Sequence, residues 1–192
     1  TPAIGVTQKN DKTWTVHTEK GDIDCEYVVN AAGYYAQQVG DWFKPYGGRT
    51  VPMMVMSHQY LLSEEIPEIE QYTKTSGKKL PLLRDVDVSY YLRQEKNGFN
   101  LGPYEPNCKA HWATEDDPMP DDFSFQLWND DLDRIEDIVS DAMERVPLLG
   151  TSGVSRVING PIPYAPDGLP LIGPMPGVET VSYTHLTLPT NG

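Results

Sequence analysis

The chain has 192 residues, 39% of them hydrophobic, enough for one sizeable domain or two small ones around a packed core. Its 28 acidic and 15 basic side chains give a formal charge of -13, which repels nucleic-acid phosphates and anionic lipid and argues against both as partners. With no apolar run of about 18 residues, no leader-like start, and two cysteines (Cys25 and Cys108) outside any zinc or disulfide-framework spacing, it reads as a soluble chain of a reducing compartment without a metal site.

The first thirty residues alternate as short strands: TWTVHT at 13–18, a turn at 20–22, then IDCEYVVNAAG. Apolar Tyr27, Val28 and Val29 run into the small residues Ala31, Ala32 and Gly33, which predicts a buried strand feeding a helix at 34–43, weakened by Gly40 and stopped by Pro45. Such a strand-to-helix turn lets backbone approach either a neighbouring helix or a nucleotide cofactor, and no GxGxxG precedes it to decide between them.

From 51 to about 104 the pattern is strand-like. VPMMVMSHQYLLS reads as one long strand, and SYYLRQEKNGFNLGPY as a hairpin turning near Asn97-Gly98. His58 lies mid-strand among apolar residues, as a core histidine would, yet its near-neutral titration also suits proton exchange with an amine. Period-2 alternation puts Tyr91 and Arg93 on one face and Tyr90 and Leu92 on the other. A phenol beside a guanidinium could hold a carboxylate, and cross-strand packing with an exposed Arg explains the same pattern.

An acidic loop follows (EDD at 115–117, DD at 121–122, NDDLD at 129–133), read as solvated charge. Leu132, Ile135, Ile138, Val139, Ala142, Met143 and Val146 recur at steps of three and four, predicting a helix capped by Asn129 or Asp130 and ended by Pro147. INGPIPYAPDGLPLIGP, 158–174, has a linker's five prolines and three glycines but too many apolar residues for a solvated tether. The expected fold class is α/β, or α+β for the fragment: an antiparallel-sheet domain plus part of a Rossmann-like one.

Taken in order, VVNAAGYYAQQVG, SHQYLLSEEI, LPLLRDVDVSYYLRQE, GPYEP, NDDLDRI, AMERVPLL and INGPIPYAPDGLPLIGP resemble the dimethylglycine and sarcosine dehydrogenase group of FAD-dependent oxidoreductases, from about Tyr27 to Val178. The wording is nearer the dimethylglycine branch. The resemblance implies hydride removal from an N-methyl carbon to FAD, with tetrahydrofolate as a possible one-carbon acceptor and an electron-transfer flavoprotein as the electron partner. It implies a bacterial cytoplasmic or mitochondrial matrix setting.

By the same resemblance, His58 and Tyr91 match the catalytic histidine and tyrosine, and Tyr90 and Arg93 are candidate substrate contacts, Arg93 on chemical grounds alone. Asn30, Ala31, Ala32 and Gly33, with Pro166, Asp167, Gly168 and Pro170, are the expected cofactor contacts. The implied division is 1–44 in the cofactor domain, 45–157 in a substrate domain whose sheet roofs the flavin, and 158–179 back in the cofactor domain. Leu169, Leu171 and Ile172 are then expected to be exposed in this chain. TVSYTHLTLPTNG, 180–192, resembles translated adaptor sequence and is expected to be non-native. Another N-methyl amino acid substrate, or a non-catalytic binding domain of the same fold, are the alternative readings.

Overall fold

The computed structural model describes residues 1–114 and 116–185. In chain order its main elements are β1 (Ala3–Gln8), β2 (Trp14–Thr18), β3 (Ile23–Cys25), β4 (Val28–Asn30), α1 (Ala36–Asp41), β5 (Met54–Ser63), α2 (Pro67–Ser76) and β6 (Leu83–Asp85). They continue with β7 (Tyr90–Glu95), β8 (Gly98–Pro103), β9 (Ala110–His111), α3 (Glu136–Arg145), β10 (Val154–Tyr164), β11 (Leu171–Met175) and β12 (Val178–His185). Two compact units result: Thr1–Met56 with His111–Pro118 and Ile162 onward, and Ser57–Ala110 with Met119–Pro161. Among the described residues no helix is long and apolar enough to cross a membrane.

The first unit holds two small sheets, an antiparallel β1-β2-β3 and a β11-β12-β4 sheet in which β12 runs parallel to β4. Its core is built on Trp14, whose indole is fully buried edge-on to Phe43 at 5.1 Å and to Tyr46 at 5.2 Å, ring geometries that add to area burial. The indole N–H donates to Thr180 Oγ1 at 2.9 Å, so the polar tip is not stranded. Gly40, a weak helix residue by propensity, is needed by packing: a Cβ there would come within 2.8 Å of Val51 Cγ2. Because buried Val51 belongs to the Trp14 cluster, the unit extends past the expected limit of 44 to Met56, and it resumes at Ile162 instead of 158.

Two local expectations are corrected. The helix expected at 34–43 is a 3₁₀ turn at Gly33–Tyr35 followed by α1, and Pro45 sits within a further turn at Lys44–Tyr46, where its missing N–H costs no bond. Residues 180–185 of the stretch expected to be non-native form most of β12, with Val181 fully buried; residues 186–192 lie outside the described residues. Leu169 and Ile172 are 63% and 68% exposed as expected, whereas Leu171 packs on the Trp14 cluster.

The second unit is a sheet of order β10-β5-β8-β7-β6, with β9 also pairing β5. One face of it buries Tyr90, Leu92, Phe99 and Leu101 against Ile66 and Ile69 of the α2 region and Ala142 of α3. The β7–β8 hairpin turns at Lys96 and Asn97, with Glu95 paired to Gly98, one residue earlier than expected; Lys96 takes the left-handed φ of 52° that a tight turn demands. Gly98 is required by close approach, since a Cβ there would lie 2.6 Å from the Glu64 carbonyl.

α2 was read as part of a strand-like run. Its signals are Pro67 at the start, Glu68 and Glu70 in the first turn, a Glu70–Lys74 pair at 2.7 Å, and Gly77 closing it at φ 67°. The last helix starts later than predicted, a 3₁₀ turn at Leu132–Arg134 preceding α3, and neither Asn129 nor Asp130 caps it. Their stretch is tied elsewhere: the Asn129 carbonyl accepts from Asn159 Nδ2, and Gln59 Oε1 accepts from the Asp131 N–H.

Leu101 is fully buried at the centre of this core, so Leu101→Ala should cost about 2–5 kcal/mol of stability in urea unfolding. Leu132, 40% exposed, should tolerate Ala within about 0.5–1 kcal/mol.

Candidate active site

The face of the large sheet opposite that core carries the chemistry. Along β5, Val55, Ser57, Gln59 and Leu61 are buried, while Met56, His58 and Tyr60 alternate with them and are only partly covered. Along β7, Tyr90, Leu92 and Gln94 are buried and Tyr91, Arg93 and Glu95 are partly covered. The alternation expected for Tyr91 and Arg93 is therefore present, and it separates Tyr90 from them. Tyr90 is fully buried in the apolar core, which corrects its expected role as a substrate contact.

Tyr91 lies directly across the β7–β8 pair from Gly102. A Cβ at Gly102 would overlap the Tyr91 ring, so the phenol lies over bare glycine backbone. Tyr104, just past β8, meets Tyr91 edge-on at 5.9 Å and His58 at 6.5 Å, so the two expected catalytic residues flank one ring. Arg84 of β6, also paired with Tyr91, places its guanidinium 5.1 Å above Tyr104. Arg93, on the same face, pairs with Glu95 at 3.3 Å. Tyr104, Arg84 and Gly102 were not assigned from sequence. Period-2 counting through GPYEP and LLRD, with the hairpin register, would have brought them forward.

Both candidate groups are held neutral. Burial pulls the His58 imidazole below histidine's usual range, with the Arg134 guanidinium adding to it. Burial pushes the Tyr91 phenol up, partly offset by Arg93, with Tyr104 and Tyr60 adding to the rise. The face thus offers an uncharged imidazole that can accept a proton, an uncharged phenol that can donate a hydrogen bond, and guanidinium charge for an anion.

Behind His58, on the buried side of β5, lies a polar network that sequence reading did not identify. Arg134 Nε and Glu105 Oε2 form a close ion pair almost closed to solvent. Arg134 Nη1 donates to Ser57 Oγ at 2.7 Å, and the Gln59 N–H donates to Glu105 Oε1 at 3.1 Å. The Gln59 amide also exchanges two bonds with the Asp131 backbone, at 2.9 and 2.8 Å.

In the first unit, the residues expected at the cofactor take two roles. Asn30 is buried, its amide donating to the Ala36 carbonyl at 2.8 Å and accepting from the Ala32 N–H at 3.3 Å, so it shapes the turn. The turn that follows carries only small side chains; its Ala32 N–H is held by Asn30 and its Ala32 and Gly33 carbonyls by the Tyr35 and Ala36 N–H groups, while Gly33 takes φ 58° with open space where a side chain would stand. Ala31 and Ala32 also line, with Val28, Val29 and Trp42, a cavity of about 460 Å³. At the second segment Gly168, φ 70°, closes a turn to the Ala165 carbonyl, and Asp167 Oδ1 accepts from the Leu169 N–H; Pro166 and Pro170 flank it in the open. These unhindered stretches fit the close backbone approach that FAD requires.

The family described as DAO, FAD dependent oxidoreductase, matches residues 1–187. The chain is 40% identical over 182 residues to the mitochondrial dimethylglycine dehydrogenase of Mus musculus, covering 93% of the chain and 20% of that protein. It is 34% identical over 161 residues to the mitochondrial sarcosine dehydrogenase of Mus musculus, covering 84% of the chain and 16% of that protein. It therefore spans about a fifth of the length of the curated relatives it matches. Among solved structures, L-proline dehydrogenase from P. horikoshii shares the fold with a TM-score of 0.70 at 18% identity, over 96% of this chain and 43% of that one. Glycine oxidase from Geobacillus kaustophilus does so at 0.67 and 13%, over 96% and 42%. On this match and this fold, the chain belongs to the DAO family of FAD-dependent oxidoreductases.

Proposed function

We propose that the chain is the amine-binding part of an enzyme that oxidises an N-methylated amino acid, dimethylglycine foremost, by loss of hydride from the N-methyl carbon. The observation that carries this reading is the grouping of His58, Tyr91 and Tyr104 on one partly open sheet face with both titratable groups held neutral. The higher identity to dimethylglycine dehydrogenase than to sarcosine dehydrogenase favours the doubly methylated substrate.

The small-residue turn Ala31–Gly33 and the segment of Pro166, Asp167, Gly168 and Pro170 would hold FAD, which when bound would supply the two-electron acceptor. What this chain's side chains do is prepare the amine. Only an amine with a free lone pair can expel hydride, and the substrate arrives largely as its ammonium form. A neutral His58 accepts that proton; Tyr91 donates a hydrogen bond that orients the zwitterion. The carboxylate is met by guanidinium. Arg93 is the expected group, and Arg84, which has no carboxylate partner among the described residues, stands as its competitor.

In the full-length, flavin-loaded protein, His58→Ala should lower kcat by about 100-fold or more and Tyr91→Phe by about 10-fold, with the flavin absorbance retained. Unchanged turnover in both would remove them from the site. Gly102→Ala should displace the Tyr91 ring and match Tyr91→Phe in kcat.

The carboxylate contact is read from KM. Whichever of Arg84→Gln and Arg93→Gln raises KM by roughly 10- to 100-fold identifies the binder.

The pH dependence follows from the lowered His58 pKa. Its neutral form persists below histidine's ordinary 6.5, so the acid limb of kcat/KM should fall below that value. Folding follows the same sign: the folded state resists protonating His58, so stability is lost as pH drops from 6.5 towards the folded pKa.

A further inference from the structure

We propose that the Glu105–Arg134 ion pair is the positioning device for His58, gripping β5 on both sides of the imidazole and balancing the charge behind it. Arg134 holds Ser57, the residue before His58, through its hydroxyl, and Glu105 holds Gln59, the residue after, through its backbone N–H. Both neighbours are buried, so the grip works from the core side while the imidazole stays on the open face. Gln59 is also locked to Asp131, three residues before Arg134, tying the strand to the turn that carries the guanidinium.

This arrangement is costly as a means of stability alone. Burial, with Asp131 adding to it, pushes the Glu105 carboxyl above its usual range against the lowering by Arg134 and the Gln59 bond, so the stability tied to this group is lost as pH rises through its folded pKa. Arg134 Nη2 is buried with no hydrogen-bond partner among the described residues. A buried pair with an unmet donor that is tied on both sides of one imidazole has its explanation in the imidazole.

The charged and titratable groups around His58 are Tyr104, Tyr91 and Tyr60 on its own face, Arg84 above Tyr104, and behind it Arg134 and Glu105, with Asp131 and its partner Lys109. Of these, Arg134 acts against a charged imidazole and Glu105 neutralises Arg134. Removing one or the other must move His58 in opposite directions, which a merely structural role would not do.

The test is a proton NMR titration of the His58 ring in the full-length, flavin-loaded protein with isotope-labelled histidine, assigned by loss of its signal in His58→Gln. It reads the imidazole directly and so stands apart from the amine-oxidation reading. Glu105→Gln should lower the His58 midpoint and Arg134→Met should raise it, each by roughly one pH unit. Arg134→Lys, which keeps the charge, should restore the wild-type midpoint.

Where a lone buried charge unfolds a single variant, the double variant Glu105→Gln/Arg134→Met leaves no charge behind and, because the two shifts cancel, titrates His58 near the wild-type midpoint. Midpoints that stay at the wild-type value in the folded single variants, or a double variant displaced by as much as a single one, would overturn the proposal.

Discussion

The register that sets Tyr91 opposite Gly102 and Leu92 opposite Leu101 decides what every residue of the large sheet can do. Side chains alternate faces with a period of two, so a slip of one residue would send Tyr91 and Arg93 into the core and bring Tyr90 and Leu92 out to the open face. Several local features hold it against that slip. The two-residue turn at Lys96 and Asn97 fixes the pairing at its closed end. Gln94 bonds the Leu80 N–H, Thr73 and the Lys96 carbonyl, and so cannot rotate to the other face without stranding a buried amide. Leu101 and Leu92 need the apolar side. The Tyr91 phenol gains its place over Gly102 as a by-product of core packing.

The two units show two uses of polar groups. In the first, Asn30 uses its amide on the Ala36 carbonyl and the Ala32 N–H and so holds the turn of small residues that follows it, and Trp14 finds a hydroxyl for its N–H; these are satisfied groups that shape and stabilise. In the second, Glu105 and Arg134 are buried together with Arg134 Nη2 left without a hydrogen-bond partner among the described residues. Exchanging such a pair for apolar residues often stabilises a protein, so retaining one asks for a reason beyond stability, and here its bonds lead to both neighbours of His58.

Much of this was legible in the sequence where the signal was local. The β7–β8 hairpin, the placing of Tyr91 with Arg93, the turn at Asp167-Gly168 and the exposure of Leu169 and Ile172 follow from alternation, turn chemistry and apolar residues without partners. What was not legible depended on pairings distant in sequence. Arg84 reaches Tyr104 only through the β6–β7 register, and Arg134 meets Glu105 across 29 positions. The cap expected from Asn129 or Asp130 fails because Gln59, 72 residues away from Asp131, competes for that backbone. Tyr90 was misjudged although its own parity already argued against it. α2 was missed despite clear end signals, because the long strand-like run before it suggested continuation.

The central claim is that the sheet face carrying His58, Tyr91 and Tyr104 binds the amine substrate. Trimethylglycine tests it most directly, since its quaternary nitrogen has no lone pair with which to expel hydride and it should stay bound unreacted. In a crystal structure of the full-length, flavin-loaded protein with trimethylglycine, the ligand should lie against His58, Tyr91 and Tyr104, with its carboxylate on Arg84 or Arg93. A ligand bound elsewhere, with that face closed or empty, would contradict the account.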